Sequence, residues 1–520
     1  MCRRIVSGLL GLGLLAVLFS GDVAKADELY GRIRGTVTDP SGAVVPGAKV
    51  TARNPATGLS RSMTSSPSGD FEFVNLLAPA VYDVEVEKEG FHKTERTNIE
   101  LNINQVFVAN VTLEVGAAVQ TVTVQEGAAQ INTTEMQLGT TITGNTITDM
   151  PLVDRNWIEL QQLQPGVVGG SDRFGNGSNG AAKTNFATNG AETQQNSFYV
   201  NGVDTADIAL NAAGIIPSPD SIGEFHLVTS TINPEYGRNS GAVMNAVIKN
   251  GTNQLHGDGF EFYRDTFLDA NSFFNNAAGQ PTPPFQQNVF GGTVGGPVLL
   301  PHLYNGRNKS FFFFSYQGNR HVEPEAYGIP TVYSAAERGG AFPGLATSKG
   351  SSGSPMVGDD GKTYPAGTPY ATLFSDGTIP QADLNPLSLK LMNQYIPLPN
   401  SANNGYAFSP SDTEVDDQYI TRIDQNFGSK DSIWGYWFWE RQPTTEALPF
   451  GGGATLLGFT EADKRHFQQY ALSWNHTFTP TTLNEARFGY TRFNIDSVNP
   501  QTPINPTSYG FTGINPQFPQ

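Results

Sequence analysis

Residues 233–257 read NPEYGRNSGAVMNAVIKNGTNQLHG, and this stretch separates two kinds of sequence. It contains a turn at Tyr236 and Gly237, alternating residues over 243–248, and a second turn at Asn250 and Gly251. The sequence before it is typical of compact β and α/β domains. The sequence after it holds long, alternating, aromatic strands and polar loops. We therefore expect a boundary between two structural units here.

The composition predicts a mainly β protein that does not bind nucleic acid. Among 520 residues there are 57 glycines and 34 prolines, only 15% are charged, and 11% are aromatic. Without residues 1–26 the chain carries 28 basic and 47 acidic side chains, a net charge of −19. Such a chain repels phosphate backbones.

The first 26 residues predict a signal peptide and export. Arg3 and Arg4 precede an uncharged apolar run at 5–19, and Ala24-Lys25-Ala26 fits a cleavage site. A membrane anchor is the alternative, but the run is short for a span of about 20 residues. Cleavage would remove Cys2, the only cysteine, so we expect neither disulfides nor thiolate chemistry.

Residues 27–115 predict a small β-sandwich, because short alternating strands are separated by turn residues. The segments GRIRGTVTDPSGAVVPGAKVTARN and PSGDFEFVNLLAPAVYDVEVEKEGF carry a resemblance to the carboxypeptidase regulatory-like, or transthyretin-like, domain. This resemblance implies a non-catalytic module that binds carbohydrate or another partner.

Residues 144–254 predict an α/β domain, with a helix after Asn156 that ends at Pro165-Gly166. The segments MPLVDRNWIELQQLQPGV, FYVNGVD, SIGEFHLVTSTINPEYGRNSGAVMNAVIKNGTNQLHG and FEFYRD resemble the plug of TonB-dependent outer-membrane receptors of the Oar-like type. Asn201 and Asn250 depart from the family, which more often has Asp and Ser or Thr there. The matching plug signature comprises Asn201, Gly202, Tyr236, Gly237, Gly241, Gly251 and Gly257.

Residues 116–143 form a polar linker with a short β-prone run at 119–125. In such receptors a TonB box in this region engages TonB, the energising protein of the inner membrane, by strand addition. The resemblance implies TonB contact through Val119, Thr121, Val122, Thr123 and Val124. An ordinary first strand of the next domain is the alternative, and the residues do not decide between them.

Residues 255–520 predict the first strands of a transmembrane antiparallel β-barrel. About ten residues with one apolar face suit a strand between lipid and lumen. A soluble sandwich is the alternative, but Trp434, Trp437, Trp439 and Trp474 favour an interfacial belt. Seven such segments are evident, at 256–263, 288–297, 309–317, 417–427, 432–440, 469–479 and 484–493.

About seven strands are few for a plugged barrel, which needs about 22, so we expect an N-terminal piece of a longer receptor. Residues 321–416 predict a long external loop that contributes to ligand contact, interrupted by a short helix at 386–395.

No segment predicts a catalytic, cofactor or metal site. Residues 175–180 match G-x-G-x-x-G but lack the flanking strand and helix of a dinucleotide site. His92 and Glu95 match H-x-x-E inside a β module, without the domain that would supply another zinc ligand. The pairs Asp359-Asp360 and Asp416-Asp417 lack the series of ligands that calcium needs. We expect a protein that is not an enzyme.

The resemblance implies an outer-membrane receptor that imports an external ligand with energy transmitted by TonB, and that keeps its N-terminal domain in the periplasm. Its implied partners are TonB, outer-membrane lipid and an external ligand, for which a glycan is one candidate class. The alternative is an adhesion or surface-assembly protein whose N-terminal domain binds carbohydrate or another partner. The sequence does not identify the ligand.

Overall fold

The computed structural model describes most of the chain between residues 29 and 511. The described residues are 29–116, 121–125, 138–152, 155–169, 186–207, 211–232, 236, 238–271, 273–277, 282, 284–324, 330–406, 411–447, 460–479, 482–498, 510 and 511. The predicted signal peptide and the glycine-rich segment 175–180 lie outside them. No helix among the described residues is long and apolar enough to span a membrane.

The first unit is a β-sandwich, as predicted. Its strands are β1 (Tyr30–Thr38), β2 (Lys49–Arg53), β3 (Ser60–Thr64), β4 (Asp70–Leu77), β5 (Ala80–Glu87), β6 (Lys93–Leu101), β7 (Val106–Val108), β8 (Val111–Thr112) and β9 (Thr121–Gln125). One sheet has the order β4-β1-β7 with β8 also on β1, and the other has the order β3-β2-β5-β6-β9. Tyr82, Val84 and Val86 alternate into the core between the sheets, which fixes the register of β5.

The second unit, at residues 138–248, is a mixed sheet with short helices, and we call it the plug. Its elements are β10 (Leu138–Thr143), α1 (Gly144–Asp149), a 3-10 helix (Trp157–Leu163), β11 (Val167–Gly169), β12 (Phe186–Thr188), β13 (Ser197–Val200), β14 (Val203–Asp204), a 3-10 helix (Pro219–Ser221), β15 (Ile222–Ser230) and β16 (Val243–Ile248). The main sheet has the order β10-β15-β16-β13-β14.

The predicted helix after Asn156 is present as the 3-10 helix at Trp157–Leu163. The Asn156 side chain accepts a hydrogen bond from the Ile158 backbone N–H at 3.2 Å, which caps the helix. Trp157 then packs against Phe225 of β15, with ring centroids 5.2 Å apart. This contact fastens the helix to one face of the plug sheet.

The third unit, the barrel sheet, consists of seven antiparallel strands in the order β17-β18-β21-β24-β25-β26-β27. All seven predicted segments are confirmed as strands. Their bounds, with the small strands between them, are β17 (His256–Asp265), β18 (Gln286–Pro297), β19 (Leu299–Leu300), β20 (Tyr304–Asn305), β21 (Ser310–Pro324), β22 (Met356–Val357), β23 (Thr363–Tyr364), β24 (Ser411–Phe427), β25 (Asp431–Glu446), β26 (Glu461–Thr479) and β27 (Thr482–Val498). The sheet does not close, since β17 and β27 are its two edges.

The two ends of the barrel sheet have different connections. At one end, residues 298–309, 428–430 and 480–481 join successive strands, and we call this end the short-turn rim. At the other end, residues 266–285, 325–410 and 447–460 form longer connections. In outer-membrane barrels the short turns are periplasmic and the long loops are external.

The longest loop has structure of its own. It carries β22, β23 and the helices α3 (Ala335–Arg338), α4 (Tyr370–Leu373) and α5 (Pro386–Tyr395), while α2 (Phe273–Ala277) belongs to the preceding loop. Short 3-10 helices complete these loops at Thr266–Leu268, Pro343–Thr347, Gln381–Asp383 and Ala402–Asn404. The helix predicted at 386–395 is confirmed as α5, and Leu373 and Phe374 are buried inside the loop.

The tryptophans do not all lie in one belt. Trp437 and Trp474 are exposed on the outer face, in agreement with a lipid-facing position. Trp434 is buried on the inner face with Tyr436 and Phe438, so its assignment to the interfacial belt was wrong. The reason is that β25 is apolar on both faces, because its inner face packs against the plug and the sandwich rather than against water.

Candidate coupling site between the plug and the barrel

The predicted TonB-contact residues lie at the edge of the sandwich. Thr121, Val122, Thr123 and Val124 belong to β9, which pairs in parallel with β6, with Thr94 opposite Val122. Val119 lies outside the described residues. The alternative, a first strand of the next domain, is wrong, because the plug sheet begins with β10. The linker therefore contributes a strand to the sandwich before it reaches the plug.

Asn201 and Gly202 form the turn that follows β13. Both have positive φ angles, 49° and 70°, which asparagine and glycine adopt more readily than other residues. The Asn201 Oδ1 atom accepts a hydrogen bond from the Ile248 backbone N–H at 3.1 Å. The Asn201 backbone N–H donates to the Ala246 carbonyl oxygen at 2.8 Å. Asn201 thus fastens the turn to the end of β16.

Tyr236 and Gly241 hold the segment that enters β16. The Tyr236 ring is buried and stands edge-on to Tyr199 of β13, with ring centroids 5.5 Å apart. A side chain at Gly241 would place its Cβ 2.6 Å from the Gln195 carbonyl oxygen, so only glycine fits there. Gly237 lies outside the described residues.

Gly251 and Gly257 lie where the chain passes from the plug into the barrel sheet. A Cβ atom at Gly251 would lie 2.3 Å from the Phe312 carbonyl oxygen of β21. A Cβ atom at Gly257 would lie 2.3 Å from the Thr293 carbonyl oxygen of β18. The described signature residues therefore form two groups, one inside the plug and one against the barrel wall, rather than a single site.

Arg422 of β24 joins the barrel wall to the end of the plug sheet. Its Nη1 atom donates to the Ile248 carbonyl oxygen at 2.8 Å, and its Nε and Nη2 atoms donate to the Asp424 carboxylate at 2.9–3.2 Å. The guanidinium also lies 5.1 Å from the Trp434 ring centroid. Ile248 is thus fastened on one side by Asn201 of the plug and on the other by Arg422 of the barrel.

A second arginine makes the reverse contact, from the plug to the barrel. Arg155 forms an ion pair with Asp220 of the plug and lies over the rings of Phe260 and Phe262 in β17, 4.5 and 4.2 Å from their centroids. Burial raises the pKa of the Asp220 carboxyl, and the charge of Arg155 opposes that rise. The pair places a half-buried cation between the plug and the first barrel strand.

Single hydrogen bonds complete the contact between the plug and the barrel sheet. Gln418 Nε2 donates to the Ile216 carbonyl oxygen at 3.2 Å, and Thr491 Oγ1 donates to the Asp204 carbonyl oxygen at 2.9 Å. The plug and the barrel form separate sheets without a shared strand. The contact therefore combines individual side-chain bonds with apolar packing of the plug core against barrel residues such as Phe313, Ile420 and Phe438.

Two ionisable residues of β15, the buried Glu224 and the half-buried His226, were not predicted. Burial raises the pKa of Glu224 to about 8, and its Oε1 atom accepts a hydrogen bond from the Ile103 N–H of the sandwich at 3.0 Å. Burial lowers the pKa of His226 to about 4, and its Nδ1 atom lies 2.9 Å from Thr141 Oγ1. In the sequence they alternate with Phe225 and Leu227, which predicts a solvated face. No local signal indicates that other segments cover that face.

The acidic and metal-ligating side chains of this region do not form a metal-binding cluster among the described residues. Among the described residues, no group of three or more histidine, cysteine, aspartate or glutamate side chains is arranged to hold a metal ion. Asp416 faces the lumen, whereas Asp417 bonds Tyr316 and Arg320 on the outer face, so this acidic pair is split between the two faces. The plug is thus a folded unit that individual side-chain contacts hold against the barrel sheet.

Comparison with known proteins agrees with these units. Residues 247–520, more than half of the chain, match the family model of the outer membrane beta barrel domain. Residues 32–114 match that of the carboxypeptidase regulatory-like domain. The TonB-dependent transporter Oar from Myxococcus xanthus is 26% identical over 324 residues, 58% of this chain and 29% of the relative. The chain thus spans about 29% of the length of that relative.

Solved structures of outer-membrane transporters are also similar. The outer membrane transporter YddB from Escherichia coli matches at a TM-score of 0.43 and 12% identity, over 70% of this chain and 40% of that protein. The ferric enterobactin receptor PfeA from Pseudomonas aeruginosa matches at a TM-score of 0.38 and 11% identity, over 70% of this chain and 42% of that receptor.

The resemblance to the carboxypeptidase regulatory-like domain is confirmed by one family model, the predicted outer-membrane barrel by the other, and the likeness to Oar-type transporters by that relative. The barrel family and the transporter relative are not enzymes, as expected for this chain. The chain belongs to the outer-membrane β-barrel family and resides in the outer membrane, with a carboxypeptidase regulatory-like domain ahead of its barrel domain.

Proposed function

We propose that the protein is a TonB-dependent transporter that binds an external ligand and imports it with energy from TonB. The observation that carries this proposal is the plug, a sheet separate from the barrel sheet, which lies on the inner face of the barrel wall and is held there by bonds at Ile248, Arg155 and Gln418 and by apolar packing. A unit held in this way moves without breaking the barrel sheet.

The sandwich belongs in the periplasm in this proposal. Its contacts with the barrel sheet lie at the short-turn rim, where Asn75 bonds Asn475 and Ala56 bonds Asn253. Because short turns are periplasmic in outer-membrane barrels, a domain at this rim is within reach of TonB. The long loop at 325–410 is then external and available to the ligand.

TonB would engage residues 119–125. This run has the alternation of a strand, and β9 leaves one edge free of pairing within the described sheet. An added strand gains main-chain hydrogen bonds along such an edge. A pull on this run is transmitted along the chain toward β10 and the plug.

A proline substitution tests the coupling. Val122→Pro removes a backbone N–H and disfavours strand pairing, whereas Asn132→Pro makes the same change elsewhere in the linker. We expect Val122→Pro to weaken binding of the purified periplasmic domain of TonB at least tenfold in biolayer interferometry, and Asn132→Pro to leave it unchanged. Equal binding by both variants would remove residues 119–125 from the proposal.

Uptake is tested with three radiolabelled probes: a ferric catecholate, a maltooligosaccharide and a pentapeptide. Accumulation of any probe that a protonophore abolishes supports transport. Val122→Pro should then abolish accumulation while cell-surface binding of that probe persists. Surface binding of the probes without any energised accumulation would contradict a transport function.

An adhesion or partner-binding protein is the second candidate, and a groove on the sandwich favours it. The groove has a volume of 680 Å³ and is lined by polar side chains that include Arg34, Asp70 and Asn110. Such groups suit hydroxyl-rich ligands, including glycans. Glycan-array binding by the purified protein that Asp70→Ala and Asn110→Ala abolish, together with no energised uptake, would favour this candidate.

A further inference from the structure

The sandwich is seated on the short-turn rim through buried side chains. The Tyr30 hydroxyl of β1 accepts hydrogen bonds from Asn475 Nδ2 at 2.6 Å and from Trp434 Nε1 at 3.3 Å. Asn75 Nδ2 of β4 donates to Asn475 Oδ1 at 3.1 Å. All four side chains are buried. A buried polar group that loses its hydrogen-bond partner costs free energy. These bonds therefore hold the sandwich in one position on the rim.

A second contact lies at the entrance to the barrel sheet. The Asn253 backbone N–H donates to the Ala56 carbonyl oxygen of the sandwich at 2.9 Å, and its side chain bonds both the backbone and the side chain of Asn308 at 2.7 Å. Gly58 lies so close that a Cβ atom there would be 2.1 Å from Asn308 Oδ1. The turn after β2 is therefore pressed against the rim.

The sandwich also covers the plug. Ile103 donates to Glu224, and Leu29, Tyr30, Ala78 and Ile103 are buried in the same apolar cluster as the plug core and the inner face of β25. The sandwich is thus packed on the plug and on the rim at once. It has a separate core of its own between its two sheets, centred on residues such as Val84 and Ile99.

Two pockets interrupt the contact between these three units. One of 150 Å³ lies between Pro79 of the sandwich, Gly223 of the plug and Arg422 of the barrel. A smaller one of 40 Å³ lies beside Tyr30, Asp424 and Asn475. Such pockets beside the shared apolar cluster are typical of places where separate domains meet.

We propose that the sandwich is a second closure of the transporter, which seals the plug from the inner side and must leave the rim before the plug moves. This inference rests on the proposed function. The strand that we propose TonB engages, β9, is paired with β6 of the sandwich. A force applied to β9 therefore acts on the sandwich first. The contact that breaks under this force is the hydrogen bond between Tyr30 and Asn475.

Thiol labelling tests whether the sandwich leaves as a separate body. Ala78 lies under the sandwich at the plug, Ala246 in the plug core and Ala109 in the sandwich core, and all three are buried. Each is replaced by cysteine in a Cys2→Ser background, and maleimide labelling of the purified protein is followed across a urea series. We expect Ala78→Cys to label at lower urea than either other variant.

Simultaneous labelling of all three sites would overturn the inference, because the sandwich and the plug would then be one cooperative unit. Labelling of Ala109→Cys together with Ala78→Cys, ahead of Ala246→Cys, would also overturn it, since the sandwich would then unfold rather than detach. This experiment needs neither TonB nor a ligand, so it decides separability even where the proposed transport function fails.

A reversible cross-link tests whether detachment is required. Asn75→Cys with Asn475→Cys is joined by a short bis-methanethiosulfonate reagent, which a reductant removes. The control pair, Thr51→Cys with Ser62→Cys, replaces hydroxyls 2.9 Å apart within the sandwich. For a probe that the parent protein accumulates, we expect the first cross-link to lower uptake at least tenfold and reduction to restore it.

Uptake that is unchanged by the rim cross-link would overturn the second closure while leaving the transport function intact. An equal loss of uptake in the Thr51–Ser62 control would also overturn it, because stiffening of the sandwich would then explain the effect. The absence of energised uptake in the parent protein contradicts the proposed function instead.

Discussion

The plug strand β16 and the barrel strand β26 are both central strands of β-sheets. They differ in the apolar surface they expose, because β16 is buried on both faces and β26 is buried on one. Every residue of β16 is buried, from Val243 to Ile248. In β26 the small and polar residues Ala471, Ser473 and Asn475 are buried, whereas Tyr470, Leu472 and Trp474 are exposed. This alternation is inverted relative to a strand at the surface of a soluble sheet, as expected where the outward side of a barrel strand faces apolar lipid.

This difference shows how the surroundings of a sheet decide what its pattern means. The plug sheet is covered on both faces, and even its polar members Asn245 and Glu224 are buried. The barrel sheet is covered by protein on one face only. Substitutions that change the polarity of a side chain should therefore affect folding differently in the plug sheet and on the outer face of the barrel sheet.

The largest effect is expected on the lipid face of β26. Leu472→Arg places a charge near the middle of the strand, where it costs about 2–4 kcal/mol and opposes insertion. Leu398→Arg is the matched control, because the two leucines are 52% and 50% exposed but Leu398 lies in the long loop. We expect Leu472→Arg to lose the heat-modifiable band of folded barrel on unboiled gels and Leu398→Arg to keep it. Equal folding of both would contradict a lipid-facing position for Leu472.

A smaller effect is expected inside the plug, at Asn201. Asn201→Ala removes the acceptor for the Ile248 N–H and disfavours the positive φ angle, which together cost about 2 kcal/mol. Asn201→Asp keeps the acceptor and tolerates the same backbone. We expect the urea midpoint of plug unfolding, followed by protease sensitivity, to fall for alanine and to recover for aspartate. An unchanged midpoint for alanine would show that the turn does not depend on this bond.

Effects that are spread over several pH units, rather than present at one condition, are expected at Glu224 and His226. The pKa of Glu224 is raised to about 8 in the folded protein, so the stability it confers is present below its unfolded pKa and is lost as pH rises toward 8. The pKa of His226 is lowered to about 4, so its stability is present above about 6.5 and is lost as pH falls toward 4.

Melting temperatures from pH 4 to pH 9 separate these two contributions. Glu224→Gln should flatten the decline on the alkaline side, and His226→Gln should flatten the decline on the acid side. Glu192→Gln, at an exposed plug carboxylate, is the control and should follow the parent protein. Parallel curves for all four proteins would show that neither buried group is linked to folding.

Much of the fold follows from local sequence patterns. The Asp39-Pro40-Ser41-Gly42 turn forms because the Asp39 carboxylate accepts hydrogen bonds from the Ser41 and Ala43 N–H groups at 2.9 and 3.0 Å. The helix at 386–395 begins where Asn385 caps it. The barrel strands are longer than predicted, as at Ser411–Phe427, because strand pairing continues through polar residues outside the apolar run.

The candidate site was predicted less completely. Asn201, Gly241 and Gly251 were indicated by the resemblance to the family's plug, and at each of them a turn or a close backbone approach restricts the residue type. Arg155, Arg422 and Glu224 leave no such signal. Their roles depend on which segment lies opposite, and each joins two of the three units.

The sequence by itself determined the three units, the strand periods, the turns and the helix in the loop. Each of these follows from residues that are close together in the sequence. Only the tertiary structure decided that Trp434 faces inward, that β9 pairs with the sandwich, that Glu224 is buried and that His226 is half-buried. Tyr30 and Asn475, which bond each other, are 445 residues apart. Burial is a property of the surface that covers a residue, and that surface is assembled from distant parts of the chain.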